Sequence, residues 1–395
     1  MKIFHLGDLH IGKSVNGFSM IDDQRFVLEQ LYTSIDTEKP DVIIIAGDIF
    51  DRSIPSIEAV ELADEMFIEI AIKRKTPVIA IAGNHDGRER IDYLSKFARE
   101  SGLYLVGSLN KEVEPIILKD ISERIVFYPI PYAKPVVLRE LFEDDSIKSH
   151  DDAMKKIIDE IRNNIDQSKI NIAIAHGHIG SVNSDGVSEL EESKSEKPLE
   201  IGGTDMIDVS YFNIFDYTAL GHLHAPQKVK SDRVRYSGSI LKYSFSEVKQ
   251  KKGFTVLEID DEGNFNTSII EFRARRDMRI IRGKLNEILE KSEFDTKNSE
   301  DYIRVELEDQ EALIDPMSKL RSVYPNVMEL GKIEDINKSS KEKKIAATNI
   351  KNKSSLKLFE EFYEDVIGTK CDENKLKVIK GIIDKVESEG ENNAN

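Results

Sequence analysis

The sequence predicts an α/β layered fold followed by a smaller α+β unit, and three observations carry that expectation. Short, wholly apolar runs alternate with helix-period segments from residue 1 to about 225, the rhythm of strands and helices stacked in layers. The apolar runs end abruptly in Asp, Asn and His, as in "PVIAIAGNHDG" at 77–87. After about 225 the rhythm shifts to β-rich runs joined by polar turns.

Taken in order, "KIFHLGD" is a strand, "DQRFVLEQLYTSI" a helix, "DVIIIAGD" a strand, "IEAVELADEMFIEIAIK" a helix and "PVIAIAGN" a strand. Pro40 and Pro77 open strands, and Pro55 stands near a helix start. "INIAIAH" (170–176) and "YTALGH" (217–222) add core strands, with a polar loop at 184–200 between them. "RVRYSGSILKYSF" follows, and "GFTVLEIDDEGNFNTSIIEF" reads as a hairpin turning at "DDEGN". From 276 to 334 strand, helix, strand, helix and strand would make the small α+β unit. "INKSSKEKKIAATNIKNKSS" reads as a linker. Beyond it Phe359, Phe362, Tyr363 and Val366 share one helix face, and Leu376, Ile379, Ile383 and Val386 share another. The expected division is 1–272, a capping domain at 273–335, a linker at 336–355 and a helix pair at 356–390. Those helices either pack on their own domain or dock another protein's helices.

At 395 residues and 39% hydrophobic content there is ample material for a core. No apolar run is long enough to span a bilayer and "MKIFHLGDLH" turns polar early, so the expected compartment is the cytoplasm, without a membrane partner. The single cysteine, Cys371, excludes a disulfide framework and a cysteine-based zinc site. A net charge of −17 argues against nucleic-acid binding by the whole surface. A local site remains open, because bound metal supplies positive charge where carboxylates gather.

The chemistry sits in "GDLH" (Asp8, His10), "GDIFD" (Asp48, Asp51), "GNHD" (Asn84, His85, Asp86), "AHGH" (His176, His178) and "GHLH" (His222, His224). Each alone is commonplace. Together they fall at the carboxyl ends of strands, where α/β folds gather ligands. The oxygen and nitrogen donors suit Mn²⁺, Fe or Zn²⁺ better than Ca²⁺ or Mg²⁺ alone, and the ligand count fits two ions able to promote in-line phosphoryl displacement. Gly7, Gly47, Gly83 and Gly221 precede the ligands and allow close backbone approach.

The order GDxH, GDxxD, GNHD, H and GHxH across residues 7–224 resembles the calcineurin-like metallophosphoesterases. "MKIFHLGDLHIGK", "GDIFDRSIPS" and "YSGSILKYSFSEVKQKKGF" resemble the nuclease branch of that family, the break-repair nucleases. The resemblance implies a four-layer sandwich, two mixed β-sheets flanked by helices, with a small capping domain and C-terminal helices. Asp8, His10 and His224 would hold one ion, Asn84, His222 and His176 the other, and Asp48 would bridge them. His178 offers itself in place of His176. His85 would protonate the leaving oxygen. Asp86 would stand behind its neighbours, as would Asp51, where some relatives carry a phosphate-touching histidine. Manganese is the expected metal, with Mg, Fe or Zn as alternatives.

The implied activity is 3′ to 5′ exonuclease on duplex DNA and endonuclease on single strands or hairpins, serving repair, recombination and replication. The implied partners are DNA, a second copy of the chain, and a coiled-coil ATPase bound through the C-terminal helices. The chain has no GxxxxGK followed by Ser or Thr, so ATP dependence must come from that partner. Arg273, Arg275, Arg276, Arg279 and Arg282 are candidates for phosphate contact or else a solvated basic strand edge. Two rival readings are a phosphomonoesterase or cyclic-nucleotide phosphodiesterase with the same metal motifs, and a non-catalytic scaffold for the ATPase.

Overall fold

The computed structural model describes residues 1–181, 190–196, 199, 206–292, 295, 298–333, 363, 372, 375–377 and 379. Most of the expected loop at 184–200, the linker at 336–355 and nearly all of the helix pair at 356–390 lie outside the described residues.

The all-apolar runs are strands buried on both faces. In Val42–Ala46, Ile43 and Ile45 pack with Val27, Leu31, Ile35, Leu62 and Met66 from the helices Ile21–Glu38 and Ile57–Phe67. Val42, Ile44 and Ala46 face the opposite way, with Phe127, Ile172, Ile174 and Tyr217. A period of two with both faces covered leaves no polar position in the run. Full burial of each such side chain is worth about 1.5–3 kcal/mol.

The first sheet runs in the order Phe265–Glu271, Gly253–Ile259, Lys2–Leu6, Val42–Ala46, Val78–Ile81, Leu103–Val106. Its last four strands are parallel, and the hairpin joins antiparallel. Asp260 Oδ1 accepts the amides of Glu262 and Asn264 to close the expected turn. The second sheet runs Gln227–Val229, Ser231–Tyr236, Tyr217–Gly221, Ile170–His176, Ile125–Ile130, parallel from Ser231–Tyr236 onward.

The outer face of the second sheet, with Val126, Tyr128, Ala173 and Ala175, is covered by Leu138, Ile157, Ile158 and Ile161. Leu138 comes from the helix Pro135–Phe142, the others from His150–Asn164. Helix, sheet, sheet and helix make the four-layer sandwich, with two mixed sheets as expected.

Some elements go beyond the sequence expectation: the strands Leu103–Val106 and Ile125–Ile130 and the two helices over the second sheet. The segment expected as one helix over 57–73 is α-helical to Phe67 and then widens into π-helical turns over Ile68–Lys73.

The chain divides into two compact units. The first comprises Met1–Ile281, Leu289–Arg304 and Met317–Glu329, and Met278, Tyr302 and Met328 belong to its hydrophobic core. In the second, which includes Arg282–Ile288 and Val305–Pro316, Leu285, Ile288, Val305 and Leu307 are buried, and Asp309 Oδ2 accepts the Leu285 amide at 2.8 Å. Among the described residues no helix is long and apolar enough to cross a membrane.

Candidate metal centre

Because Lys2–Leu6, Val42–Ala46 and Val78–Ile81 run parallel to one another in the first sheet, as do Ile170–His176 and Tyr217–Gly221 in the second, the chain leaves them on one side, and the polar motifs follow. The two sheets are tied together there. His222 N–H donates to both carboxylate oxygens of Asp8, at 2.9 and 3.1 Å, and His176 Nδ1 lies 2.9 Å from the Ala46 carbonyl. The closeness depends on missing side chains: a Cβ on Gly221 would stand 1.9 Å from the Ala46 carbonyl oxygen, and one on Gly83 2.2 Å from Asp48 Oδ1.

The turn residues themselves are strained. Asp8 (φ 52°), His10 (46°), Asp48 (50°) and His222 (113°) all lie at positive φ, a cost of order 1–3 kcal/mol each for residues other than glycine. Such strain persists where the surroundings enforce it and the side chain's chemistry is required.

The donor atoms fall in two groups. Asp8, His10 and His224 form one, with His10 Nε2 only 3.1 Å from His224 Nε2. In the other, Asn84 Oδ1 lies 2.9 Å from His176 Nε2 and 3.2 Å from His222 Nδ1. Asp48 stands between them, its Oδ2 3.6 Å from His10 Nε2 and 3.5 Å from His176 Nε2. Its other oxygen is held by the His85 amide at 2.8 Å. Asp8, Asp48 and His176 also form a cluster of ligating distance.

The protonation states suit a cation. Burial lowers His10 and His222 well below the usual imidazole value and His176 and His224 to about 4, so all four offer neutral lone pairs. Burial, then the neighbouring Asp48, raises Asp8 well above the carboxylate range. Burial lifts Asp48 to about 6, and burial followed by Asp48 lifts Asp86 to about 7. Among the described residues no lysine or arginine forms an ion pair with Asp8, Asp48 or Asp86, so these crowded buried carboxylates stand beside neutral imidazoles. His10 Nδ1 is buried without a hydrogen-bond partner and sits 3.6 Å from Asp51 Oδ1; a proton there leaves Nε2 free. The residues fit divalent metal ions, and the mixed donor set fits Mn²⁺, Fe or Zn²⁺.

Asp86 is a clamp, its carboxylate accepting the amides of Ile49, Phe50 and Gly83 at 2.9–3.1 Å. That ties the GNHD turn to the GDIF turn. His85 is half-buried with Nδ1 2.8 Å from the Asp51 carbonyl, so a proton on Nδ1 donates there and Nε2 is left for chemistry. Asp51 also takes Lys13 Nζ at 2.6 Å.

His178 is apart from these clusters, its Nε2 3.4 Å from Glu192. The arginines of the expected basic cluster lie with carboxylates elsewhere. Arg276 pairs with Asp23 at 3.1 Å, Arg279 with Asp295 and Asp301 at 2.8 and 2.7 Å, and Arg282 with Glu306 at 2.5 Å. Arg273 and Arg275 are exposed, the latter 3.7 Å from Asp22.

Sequence reasoning named no role for the groups that hold the ligand loops. Gln24 Nε2 donates to the His10 carbonyl at 2.7 Å and to Tyr243 Oη at 3.0 Å, and Tyr243 O–H donates to the Leu9 carbonyl. Glu247 and Lys252 form a buried pair at 2.7 Å beside His224. The only signal for the last three was the segment "YSGSILKYSFSEVKQKKGF", in which they lie.

Residues 1–226 match the calcineurin-like phosphoesterase family, and the chain belongs to it. Residues 274–366 match the family described as the type 5 capsule protein repressor C-terminal domain. The chain is also a homologue of the SbcD component of the nuclease SbcCD from Staphylococcus epidermidis, with 35% identity over 367 residues, 93% of this chain and 93% of that protein.

Proposed function

We propose that this chain is an SbcD-like, metal-dependent DNA nuclease. The observation that carries the reading is Asp48 Oδ2 poised between His10 and His176, with His85 locked beside it. Asp8, His10 and His224 would hold one ion, Asn84, His176 and His222 the other, and Asp48 both. When bound, such ions supply charge that stabilises both ends of an in-line displacement and acidify water. Mn is the proposed metal, with Mg, Fe and Zn as alternatives.

His85, its Nδ1 proton held by the Asp51 carbonyl, delivers a proton from Nε2 to the departing sugar oxygen. Asp86 keeps His85 and Asp48 in register through the amides it accepts. His178 has no ligand role in this reading. The substrates are duplex ends, degraded 3′ to 5′, and single strands or hairpins, in the course of repair, recombination and replication in the cytoplasm.

Residues 1–272 form the nuclease, 273–335 a cap over DNA touched by Arg273 and Arg275, and 336–355 a linker. Residues 356–390 dock an SbcC-like coiled-coil ATPase. A homodimer is supported by apolar side chains left in solvent on two neighbouring stretches: Ile54, Ile57 and Val60, then Tyr93, Leu94 and Phe97, with Ile57 78% and Phe97 76% exposed. Ser53 and Gly87 bring these stretches together. Exposed apolar groups at this density mark an interface, so Phe97→Glu should shift the chain from dimer to monomer in sedimentation velocity. A wild-type monomer at the same concentration would remove the dimer.

The test of function is cleavage of an end-labelled linear duplex with Mn²⁺, alongside bis(p-nitrophenyl) phosphate and p-nitrophenyl phosphate. DNA and the diester should be cleaved and the monoester spared. Preferential monoester turnover would point to a phosphomonoesterase, and no turnover with metal bound would point to a scaffold.

A further inference from the structure

Building on the two-ion reading, we infer that Glu247 is a positioning residue for His224, acting through the hydroxyl of Ser195 and anchored by Lys252, and that it makes the Asp8–His10–His224 site the tighter of the two. Glu247 is fully buried, a costly place for a carboxylate without compensating partners. Its Oε2 is taken by Lys252 Nζ at 2.7 Å and by the Tyr243 amide at 3.2 Å. Its Oε1 faces the metal ligand.

That oxygen accepts O–H from Ser195 at 2.5 Å and from Ser193 at 2.7 Å and lies 3.4 Å from His224 Nδ1. With its own proton given to Glu247, Ser195 Oγ meets His224 Nδ1 at 2.7 Å as an acceptor. The imidazole proton therefore sits on Nδ1. His224 Nε2 keeps its lone pair and faces His10 Nε2. The same residue is gripped along its backbone: its amide donates to Glu196 Oε1 at 2.7 Å, and its carbonyl accepts from Lys252 Nζ at 2.8 Å.

The other site is built differently. His176 Nδ1 donates to a neutral backbone carbonyl, that of Ala46. A carboxylate behind an imidazole raises its basicity as a ligand more than a carbonyl does, so the two sites should differ in affinity.

The experiment is Mn²⁺ titration of the full chain, with free Mn²⁺ read by electron paramagnetic resonance, and with His176→Ala as the reference that marks the second site. Wild type should bind in two steps, and the tighter should survive in the reference. Ser195→Ala, and Glu247→Gln paired with Lys252→Met to avoid stranding a buried charge, should each weaken the tight step by about 10–100-fold while holding the other within about twofold. Equal weakening of both steps, or unchanged affinities in folded variants with wild-type melting temperature, overturns the inference. Failure of the wild type to bind two ions removes the centre itself. DNA cleavage in the same wild-type preparation then separates the two failures, because cleavage with unchanged variants leaves the nuclease standing and Glu247 without a role.

Discussion

Asp48→Asn should cut phosphodiester cleavage by about 10³-fold or more, at least the cost of removing one preorganised electrostatic group, and leave the fold intact. Asparagine preserves the shape and the oxygen that takes the His85 amide. It removes the charge that faces both His10 and His176. Burial holds the metal-free Asp48 at about 6, above the ~3.9 of an unfolded aspartate. A group raised in this way contributes stability that is fully present below the unfolded value and is lost as pH rises through about 6. The melting temperature of the metal-free wild type minus that of Asp48→Asn should therefore be larger at pH 5 than at pH 7, a comparison in which the opposite pH dependence of the buried His10, His176, His222 and His224 cancels. Activity and melting temperature, followed together, separate a lost ligand from a damaged fold.

His85→Gln should lower DNA cleavage by about 10²–10⁴-fold, the span of general acid catalysis, with metal content unchanged. His85 lies outside the Asp8–His10–His224 and Asp8–Asp48–His176 clusters; it does fall within ligating distance of His10 and Asp51, but its Nδ1 is taken there by the Asp51 carbonyl. The diagnostic is the leaving group. A p-nitrophenolate departs without a proton, so bis(p-nitrophenyl) phosphate should lose far less than DNA does. An equal loss on both substrates, with the metals retained, would assign His85 to substrate binding or charge stabilisation instead.

The strands that carry the site were legible because both their faces are buried. Ile43 and Val42 go to different cores, so each run is apolar throughout and its first polar residues mark the strand end. The gathering of the candidate ligands followed from parallel strand order. Ile125–Ile130 was obscured by Pro129, which argues against a strand but is tolerated here because the strand lies at the sheet's edge. The helix His150–Asn164 carries a start signal that went unread, a capping box between Ser149 and Asp152.

His176 and His178 alternate onto the same side of an ideal strand, so periodicity could not rank them. The strand ends at His176, and only that imidazole meets Asn84. The arginines from 273 to 282 looked like one basic surface because their partners, Asp22, Asp23, Asp295, Asp301 and Glu306, are apart in sequence. Glu247 and Lys252 were hidden for the same reason. In "SEVKQKK" they look solvated, and only tertiary structure buries them against His224.

The most direct measurement of the two-ion centre is anomalous diffraction at the manganese edge from crystals grown with Mn²⁺. Two peaks are expected, one bounded by Asp8, His10 and His224, the other by Asn84, His176 and His222, with Asp48 touching both. A single peak, or a second one held by His178 and Glu192, would contradict it.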